Sequence, residues 1–264
     1  ATGGRVLNPS LRKYISLATT KLYHSKIRTM KKTLFIIFCF TLLKNSFGQK
    51  TEFRIVLNSG LFSFSGQSAE AETFINYSPF RSSYTNNPYG SKNGLCYGIS
   101  VDLKRVNKNN LILGFDLGYE ILRSKITVTS IIDNSGIVYY NYSANGKTFL
   151  NYGFINLNPQ FGYRLITKKV SIDLLGGLDF AFCLSATEKG NAVTADGKEY
   201  TTSLDRKTIS TDIRPRFLVS MNYKKMGAYL GYSLGLANYK SSYVGGTNEC
   251  YARLFRFGLT YQIK

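Results

Sequence analysis

The stretch Val170–Ser185 restricts the possible folds of this chain more than any other, because its side chains alternate between two kinds. Every second position is apolar or glycine: Val170, Ile172, Leu174, Gly176, Leu178, Phe180, Phe182 and Leu184. The positions between them are mostly small, polar or acidic. A period of two predicts a β-strand whose faces meet different surroundings. A strand of 16 residues would reach about 50 Å, enough to cross, when tilted, the ~25 Å apolar band of an outer membrane.

Seven further segments show the same alternation, so the chain is a series of one repeated unit. The eight segments are Phe53–Gly66, Gly94–Arg105, Asn110–Arg123, Phe149–Ile166, Val170–Ser185, Ile209–Tyr223, Met226–Tyr239 and Cys250–Ile263. The first segment is the least regular. In the fourth, Pro159 lacks the N–H that a strand ladder uses, and we expect a β-bulge there. The mean hydropathy of −0.13 is too low for a bundle of membrane helices and suits a barrel with a polar interior.

The connections between these segments alternate in length. Three are short and basic, around Val106–Asn109, Thr167–Lys169 and Lys224–Lys225. Four are longer and rich in Gly, Ser, Asn and Thr, around Gln67–Asn93, Ser124–Thr148, Ala186–Thr208 and Lys240–Glu249. Short turns at one rim and long loops at the other are typical of a membrane barrel, and an even number of strands closes it without exposed edges. The prediction is all-β: an eight-stranded antiparallel up-and-down transmembrane β-barrel.

The segment from Met30 to Gly48 has the three regions of a secretory signal peptide in order. Lys31 and Lys32 precede the apolar run 34–43, and the small residues of Ser46-Phe47-Gly48 predict cleavage before Gln49. A run of ten residues is too short for a membrane-spanning helix, which needs about 20 apolar residues. We therefore expect residues 30–48 to be a signal peptide and residues 49–264 to be the barrel. Residues 1–29 are interpreted as an upstream extension outside the mature protein; a short flexible tail is the alternative.

The signal peptide, the eight strands, the loop alternation and the ending FRFGLTYQIK resemble the small Gram-negative outer-membrane β-barrels of the OmpA/OmpX-like class, a porin-like membrane barrel domain. The resemblance covers residues 49–264 and implies integral insertion in the outer membrane, with outer-membrane lipid around the barrel. It also implies that the barrel-assembly machinery reads the last strand. The alternate apolar and aromatic positions that match this assembly strand are Phe255, Phe257, Leu259, Tyr261 and Ile263. The chain departs from the family pattern by ending on Lys264 and not on an aromatic residue.

The inward face of the predicted strands carries a nearly balanced set of charges. The expected lumen network consists of Asp102, Lys104, Asp116, Glu120, Arg164, Asp173, Asp179, Asp212, Arg214, Arg216 and Arg256. Because an unpaired buried charge costs several kcal/mol, near-balance predicts a lumen plugged by ion pairs. Asp179 with Arg214 is the expected pair between neighbouring strands. Arg256 is expected to join Asp116 or Asp173 across the lumen.

Aromatic residues close the outward faces of strands that run toward the short turns. Tyr163, Tyr223 and Tyr261 stand at such positions. Amphipathic tyrosine rings suit the headgroup region of a membrane. We expect these three residues to form part of a periplasmic aromatic girdle.

The residues give little support to enzymatic, metal-binding or nucleic-acid-binding functions. The net charge of +19 is concentrated at the N-terminus, where residues 1–50 hold ten of the 34 Lys and Arg and no acidic residue. The single histidine, His24, lies before the predicted mature chain, so a histidine-based catalytic or zinc site and any cofactor are not expected. Two functions remain open: a structural or interaction barrel that binds an unknown extracellular ligand through its long loops, and a small transport barrel, either a narrow pore or a carrier of an apolar molecule. A soluble eight-stranded lipid-binding protein is a third possibility.

Overall fold

The computed structural model describes residues 50–136, 138–241 and 248–263. The predicted upstream extension and signal peptide, residues 1–48, lie outside the described residues, and so does the predicted cleavage site before Gln49. Within the described ranges, no helix is long and apolar enough to cross a membrane.

The described residues form strands almost throughout. The strands are β1 (Lys50–Ser65), β2 (Glu72–Tyr77), β3 (Tyr84–Thr85), β4 (Lys92–Val106), β5 (Leu111–Asp133), β6 (Tyr140–Ile166), β7 (Ser171–Thr194), β8 (Glu199–Asp205), β9 (Thr211–Tyr223), β10 (Met226–Leu234) and β11 (Tyr251–Gln262). The turns between β4 and β5, β6 and β7, and β9 and β10 are short. Asn110 and Lys224 in these turns have φ angles of 62° and 52°, which tight turns require.

In the described part of the chain, eight of these strands close into a ring. Antiparallel pairing runs in the order β1-β4-β5-β6-β7-β9-β10-β11. The last strand pairs back with the first, with Leu57 opposite Leu259. The ring has no free edge along the barrel wall, since every wall strand has two hydrogen-bonded neighbours. The predicted fold, an eight-stranded antiparallel up-and-down barrel, is confirmed.

The two faces of the wall differ as the alternation predicts. On β9, Phe217, Val219 and Met221 are at least half exposed, whereas the residues between them are buried. The same pattern recurs on the other wall strands and leaves a broad apolar outer surface. An exposed apolar band around a closed barrel is the outer face of a protein that lies in lipid.

The strands at the long-loop end are longer than predicted, and three further strands lie there. β5 continues to Asp133, β6 begins at Tyr140 and β7 continues to Thr194, in stretches interpreted from the sequence as loops. The long connections predicted at Gln67–Asn93, Ser124–Thr148 and Ala186–Thr208 are therefore largely strand. These extensions are stable as strands because alternate apolar residues continue along them and pack into a small core. This core consists of Ile75, Val128, Ile131, Ala192 and Tyr200.

Pro159 does not produce the expected bulge. The register between β6 and β7 is the same on both sides of it, with Leu157 opposite Phe180 and Gln160 opposite Gly177. The register shift in this strand pair lies instead between Gly153 and Phe154. Pro159 therefore removes a ladder hydrogen bond without adding a residue to the strand.

Candidate functional site in the barrel interior and at the long-loop end

The interior of the barrel at the short-turn end is lined with charged side chains. All eleven residues of the expected lumen network are buried: Asp102, Lys104, Asp116, Glu120, Arg164, Asp173, Asp179, Asp212, Arg214, Arg216 and Arg256. They come from β4, β5, β6, β7, β9 and β11, where the outward positions are apolar and the charged positions therefore turn inward. Among the described residues, no group of three or more His, Cys, Asp or Glu is arranged to hold a metal ion.

A first charge network lies nearest the short turns. Arg164 on β6 donates to Glu52 on β1, at 2.7 Å from Nη1 to Oε1, and to Asp173 on β7, at 2.6 Å from Nε to Oδ1. Arg54 donates to Glu52 at 2.6 Å, and Lys104 on β4 lies 3.4 Å from Asp173. These five side chains link four strands, including β1 and β6, which are not neighbours in the ring.

A second charge network lies deeper in the barrel. Arg214 on β9 donates to Glu120 on β5 at 2.8 Å and to Asp212 on its own strand at 2.8 Å. Arg256 on β11 also donates to Glu120. It reaches Asp179 on β7 as well, at 3.0 Å from Nη2 to Oδ2. Glu120 thus accepts hydrogen bonds from two guanidinium groups, one on β9 and one on β11. Its carboxylate links these two strands to β5.

The partners within this network differ from those expected from the sequence. Asp179 and Arg214 stand opposite each other in the β7–β9 ladder, as expected, but they do not form the ion pair. Asp179 accepts from Arg216, at 3.2 Å, and from Arg256. The guanidinium of Arg214 instead extends across the lumen and lies over the ring of Phe154, 4.4 Å from its centroid.

The other expected pairing was also wrong. Arg256 joins Glu120 and Asp179, and neither Asp116 nor Asp173. Asp116 accepts a hydrogen bond from the Ser100 hydroxyl at 2.8 Å. An arginine side chain is long enough to cross the narrow barrel. It can therefore pair with a carboxylate on the far wall and not with the residue opposite it in the ladder.

Two charged residues of the interior, Glu52 and Arg54, were missed by the sequence reasoning, whereas Asn222 and Gln160 lie on the inward faces that the alternation predicted. Glu52 and Arg54 lie before or at the start of the segment that was judged least regular, and both are buried. Asn222 accepts a hydrogen bond from Arg54, and Gln160 donates to Asp102 at 2.7 Å. The signal was present for both charged residues, because Phe53, Ile55 and Leu57 alternate with them and mark the outward face.

The long-loop half of the interior is aromatic. Its largest buried rings are Phe62, Phe64, Tyr89, Tyr152, Phe154 and Tyr239. Phe64 packs edge-on against Tyr89 and Tyr239, with ring centroids 5.3 and 5.0 Å apart. Tyr239 also meets Tyr152 at 5.3 Å. Such pairs add about 0.5–1.5 kcal/mol each to the stabilisation that burial provides.

Tyr89 belongs to the connection between β1 and β4, so part of this connection lies inside the barrel mouth. The segment is held by Thr85. Its backbone N–H donates to Glu188 Oε1 at 2.7 Å, and its carbonyl accepts from Arg206 at 2.7 Å. Arg206 also pairs with Glu188 at 2.7 Å, and the Thr85 hydroxyl meets the Thr148 hydroxyl at 2.9 Å. We call residues 84–90 the mouth segment.

Beyond the mouth, the β5–β6 hairpin presents aromatic side chains to solvent. Tyr139 is 74% exposed, and Tyr140 and Tyr142 stack with ring centroids 6.2 Å apart. Phe80, in the β1–β4 connection, is 84% exposed. We call the exposed residues 138–142 the aromatic tip.

The hairpin between β7 and β8 carries fixed charges next to aromatic rings. Lys198 lies over Tyr77 and Tyr200, at 5.4 and 4.8 Å from the ring centroids. The Thr194 hydroxyl donates to Asp196 and lowers the pKa of this carboxyl, with help from the Lys198 N–H. The side chain of Tyr200 raises the pKa of Lys198. Both groups therefore stay charged at neutral pH.

The aromatic girdle residues and the terminal strand lie on the outer surface. Tyr163, Tyr223 and Tyr261 are 42–49% exposed and stand near the short-turn rim. Met226 is opposite both Tyr223 and Tyr261 in its two ladders, so these two rings share one patch. The alternate residues of the terminal strand, which are Phe255, Phe257, Leu259, Tyr261 and Ile263, are all exposed on the outer face.

A cavity of about 10 Å³ lies between Asp102, Asp116, Gln160 and Arg216, with Tyr229 at its edge. A cavity of this size holds about one water molecule.

No protein-family model matches the sequence, and no curated protein matches it. Several solved structures are similar. The crystal structure of Neisserial surface protein A (NspA) matches with a TM-score of 0.32 and 12% identity, over 80% of this chain and 98% of that one. Ail, the attachment invasion locus protein of Yersinia pestis, matches with a TM-score of 0.29 and 9% identity, over 82% and 99%. The translocator domain of the autotransporter NalP from Neisseria meningitidis matches with a TM-score of 0.28 and 10% identity, over 93% and 98%. The closed ring of strands and the apolar outer face identify this chain as a β-barrel of the outer-membrane type.

Proposed function

We propose that this protein is an integral outer-membrane barrel with a plugged lumen, which acts at the cell surface through its long-loop end. One observation carries the proposal: side chains from opposite walls meet inside the barrel along its length. At the short-turn end these contacts are ion pairs such as Arg164 with Glu52. At the long-loop end they are aromatic contacts, to which the mouth segment adds Tyr89.

The charge pattern favours a sealed interior and argues against a pore. A selective pore presents rings of one dominant sign to the ions that pass. Here the interior holds both acidic and basic side chains, and ion pairs at 2.6–3.4 Å join most of them. A barrel of this strand number also leaves an interior only just wide enough for side chains.

The long-loop end offers the surface for interaction. Because the extensions of β5, β6 and β7 are strands, the aromatic tip stands on a rigid support at a distance from the barrel wall. Exposed tyrosines are enriched at protein interfaces, since they contribute contact area at low entropic cost. We propose that this end binds an extracellular partner and that the protein has no catalytic activity.

Export and assembly complete the proposal. The predicted signal peptide would direct the chain out of the cytoplasm, and the barrel-assembly machinery would recognise the terminal strand around Phe257. N-terminal sequencing of protein extracted from native membranes should find Gln49 or a neighbouring residue first. Retention of residues 1–48 in the membrane-extracted protein would contradict the export route.

Planar-bilayer recordings of the purified protein test the plugged lumen. We expect no stable channels from the wild type, because paired side chains block the path. Shortening the mouth segment and replacing Tyr89 with alanine is the matched comparison, since it removes only the outer part of the plug. Stable, ion-selective channels from the wild type would overturn the plugged lumen and support the transport function instead.

A further inference from the structure

Five basic side chains gather on the outer face of the barrel just beyond its apolar band. They are Lys92 on β4, Arg123 and Lys125 on β5, Lys147 on β6 and Lys189 on β7. All five are exposed or half-buried, and the four on β5, β6 and β7 each lie next to an inward residue that is buried. We call them the basic patch.

The strand register brings these residues together. Lys92 is opposite Lys125, Lys125 is opposite Phe149, and Phe149 is opposite Lys189, so four strands contribute to one row. Directly opposite residues of an antiparallel pair share a face, with Cβ atoms about 5 Å apart. The row is therefore a continuous strip across the outer wall.

The remaining two cations flank this row. Lys147 is opposite Thr127 in the row nearer the loops, and Arg123 is opposite Asn151 in the row nearer the membrane band. Both lie over the ring of Phe149, with Arg123 at 5.3 Å and Lys147 at 5.7 Å from its centroid. The patch thus surrounds a half-buried aromatic ring.

The cations of the basic patch have no acidic partner within salt-bridge distance among the described residues. Arg123 donates to the Asn151 side chain at 2.7 Å, and Lys92 donates to the Thr127 hydroxyl at 2.6 Å. Acidic residues stand at the margins of the patch: Glu72 and Asp205 are opposite Thr127 and Thr187, and Glu70 pairs with Gly90, two residues before Lys92. Five like charges on one strip repel one another unless an anion neutralises them.

The position of the patch along the barrel axis indicates which kind of anion it would meet. From Arg123 toward the short turns, the next outward residue on β5 is Ile121. The one after that is Tyr119, which lies opposite Ile155, and both belong to the apolar outer surface. Each row is two residues, or about 7 Å, along a strand. The cations therefore lie where lipid headgroups would be if the apolar band lies in the hydrocarbon core.

We infer that the basic patch binds the phosphate groups of a phosphorylated lipid in the outer leaflet. The inference rests on the membrane placement proposed above. Arginine and lysine pair strongly with phosphate oxygens, and a lipid whose acyl chains lie against the apolar band holds its headgroup at this height. Phe149 and the neighbouring apolar residues would contact the upper part of these acyl chains.

Binding of diphosphoryl lipid A to the detergent-solubilised protein, measured by titration or native mass spectrometry, tests the inference. The test variant carries Lys125→Gln, Lys147→Gln and Lys189→Gln. The control variant carries Lys168→Gln, Lys169→Gln and Lys225→Gln, the same change of charge at the exposed short-turn end. Because each basic residue near a lipid surface changes affinity about fivefold, the test variant should bind on the order of 100-fold more weakly, and the control like the wild type.

Two comparisons separate the sources of phosphate. A dephosphorylated form of the same lipid should bind at least tenfold more weakly, and inorganic phosphate at equal concentration should not compete. Equal binding by the test variant and the wild type would overturn the inference, as would competition by inorganic phosphate alone.

Insertion into vesicles of neutral phosphatidylcholine is measured on the same three proteins. It separates this inference from the membrane placement on which it rests. Insertion without phosphate-dependent lipid binding would contradict only the basic patch. A protein that does not insert at all would contradict the proposed function as well.

Discussion

Arg256 and Glu120 meet in the middle of the barrel although their strands are three steps apart in the ring, with β4 and β1 between β5 and β11. The Arg256 Nη2 atom lies 3.3 Å from Glu120 Oε1. Arg214 donates to the same carboxylate from a third strand. The interior of this barrel is therefore held by links across the lumen as well as by the ladders of its wall.

Replacing Glu120 with glutamine should destabilise the barrel by about 3–5 kcal/mol, because it leaves buried guanidinium groups without their shared carboxylate. The measurement is urea-induced unfolding of the protein in lipid vesicles. Glu199→Gln, at an exposed position of β8, is the control and should change the free energy of unfolding by less than about 0.5 kcal/mol. An equal effect of the two variants would contradict the role of Glu120.

Adding Arg256→Met to Glu120→Gln should restore part of the lost stability. In the double variant Arg214 keeps Asp212, and Arg216 keeps Asp179, so each remaining charge of this network has a partner. The same unfolding experiment compares the single and double variants. A double variant less stable than Glu120→Gln alone would show that packing of the arginine side chain outweighs the balance of charge.

Gly258→Ala should destabilise the barrel by about 1–3 kcal/mol, the usual cost of overpacking. A Cβ atom at this position would lie 2.2 Å from the Leu57 carbonyl oxygen and 2.6 Å from the Tyr229 ring. Gly176→Ala is the matched control, because its nearest contact would be Phe161 at 3.9 Å. Thermal unfolding, followed by the heat-dependent shift in gel migration, reports both; equal midpoints would contradict the close approach at Gly258.

A single tryptophan can report the membrane depth of each outward residue, because the chain contains none. Tyr223→Trp should be quenched best by lipids brominated near the headgroup, since Tyr223 stands at the short-turn rim. Val219→Trp, four residues along β9, lies about 13 Å deeper in strand length and should be quenched best by mid-chain bromines. The reverse order would show that the girdle assignment is wrong.

Glu188→Ala should release the mouth segment, because Glu188 binds the Thr85 N–H and orients Arg206. Trypsin should then cleave faster after Arg81, the basic residue just before this segment. Asp205→Ala, at an exposed position of β8, should leave the cleavage rate unchanged. Equal rates in wild type and Glu188→Ala would show that other contacts suffice to hold the segment.

The sequence by itself determined the strands of the wall and the face on which each side chain lies. A period of two is a local property, so Arg214 and Glu120 could be assigned to the interior and Phe257 to the outer surface without knowledge of any contact. The first strand was read less completely: apolar Val56, Phe62 and Phe64 on its inner face obscured the alternation, and Glu52 was missed.

Only the tertiary structure decided which interior residues meet. Asp179 and Arg214 are ladder neighbours, yet Arg214 binds Glu120 on the far wall, because its reach and the narrow lumen make distant strands accessible. The strand extensions, the insertion of Tyr89 into the mouth and the assembly of the basic patch have the same origin. Each depends on how segments far apart in the chain are aligned, and alternation within a single strand carries no information on that alignment.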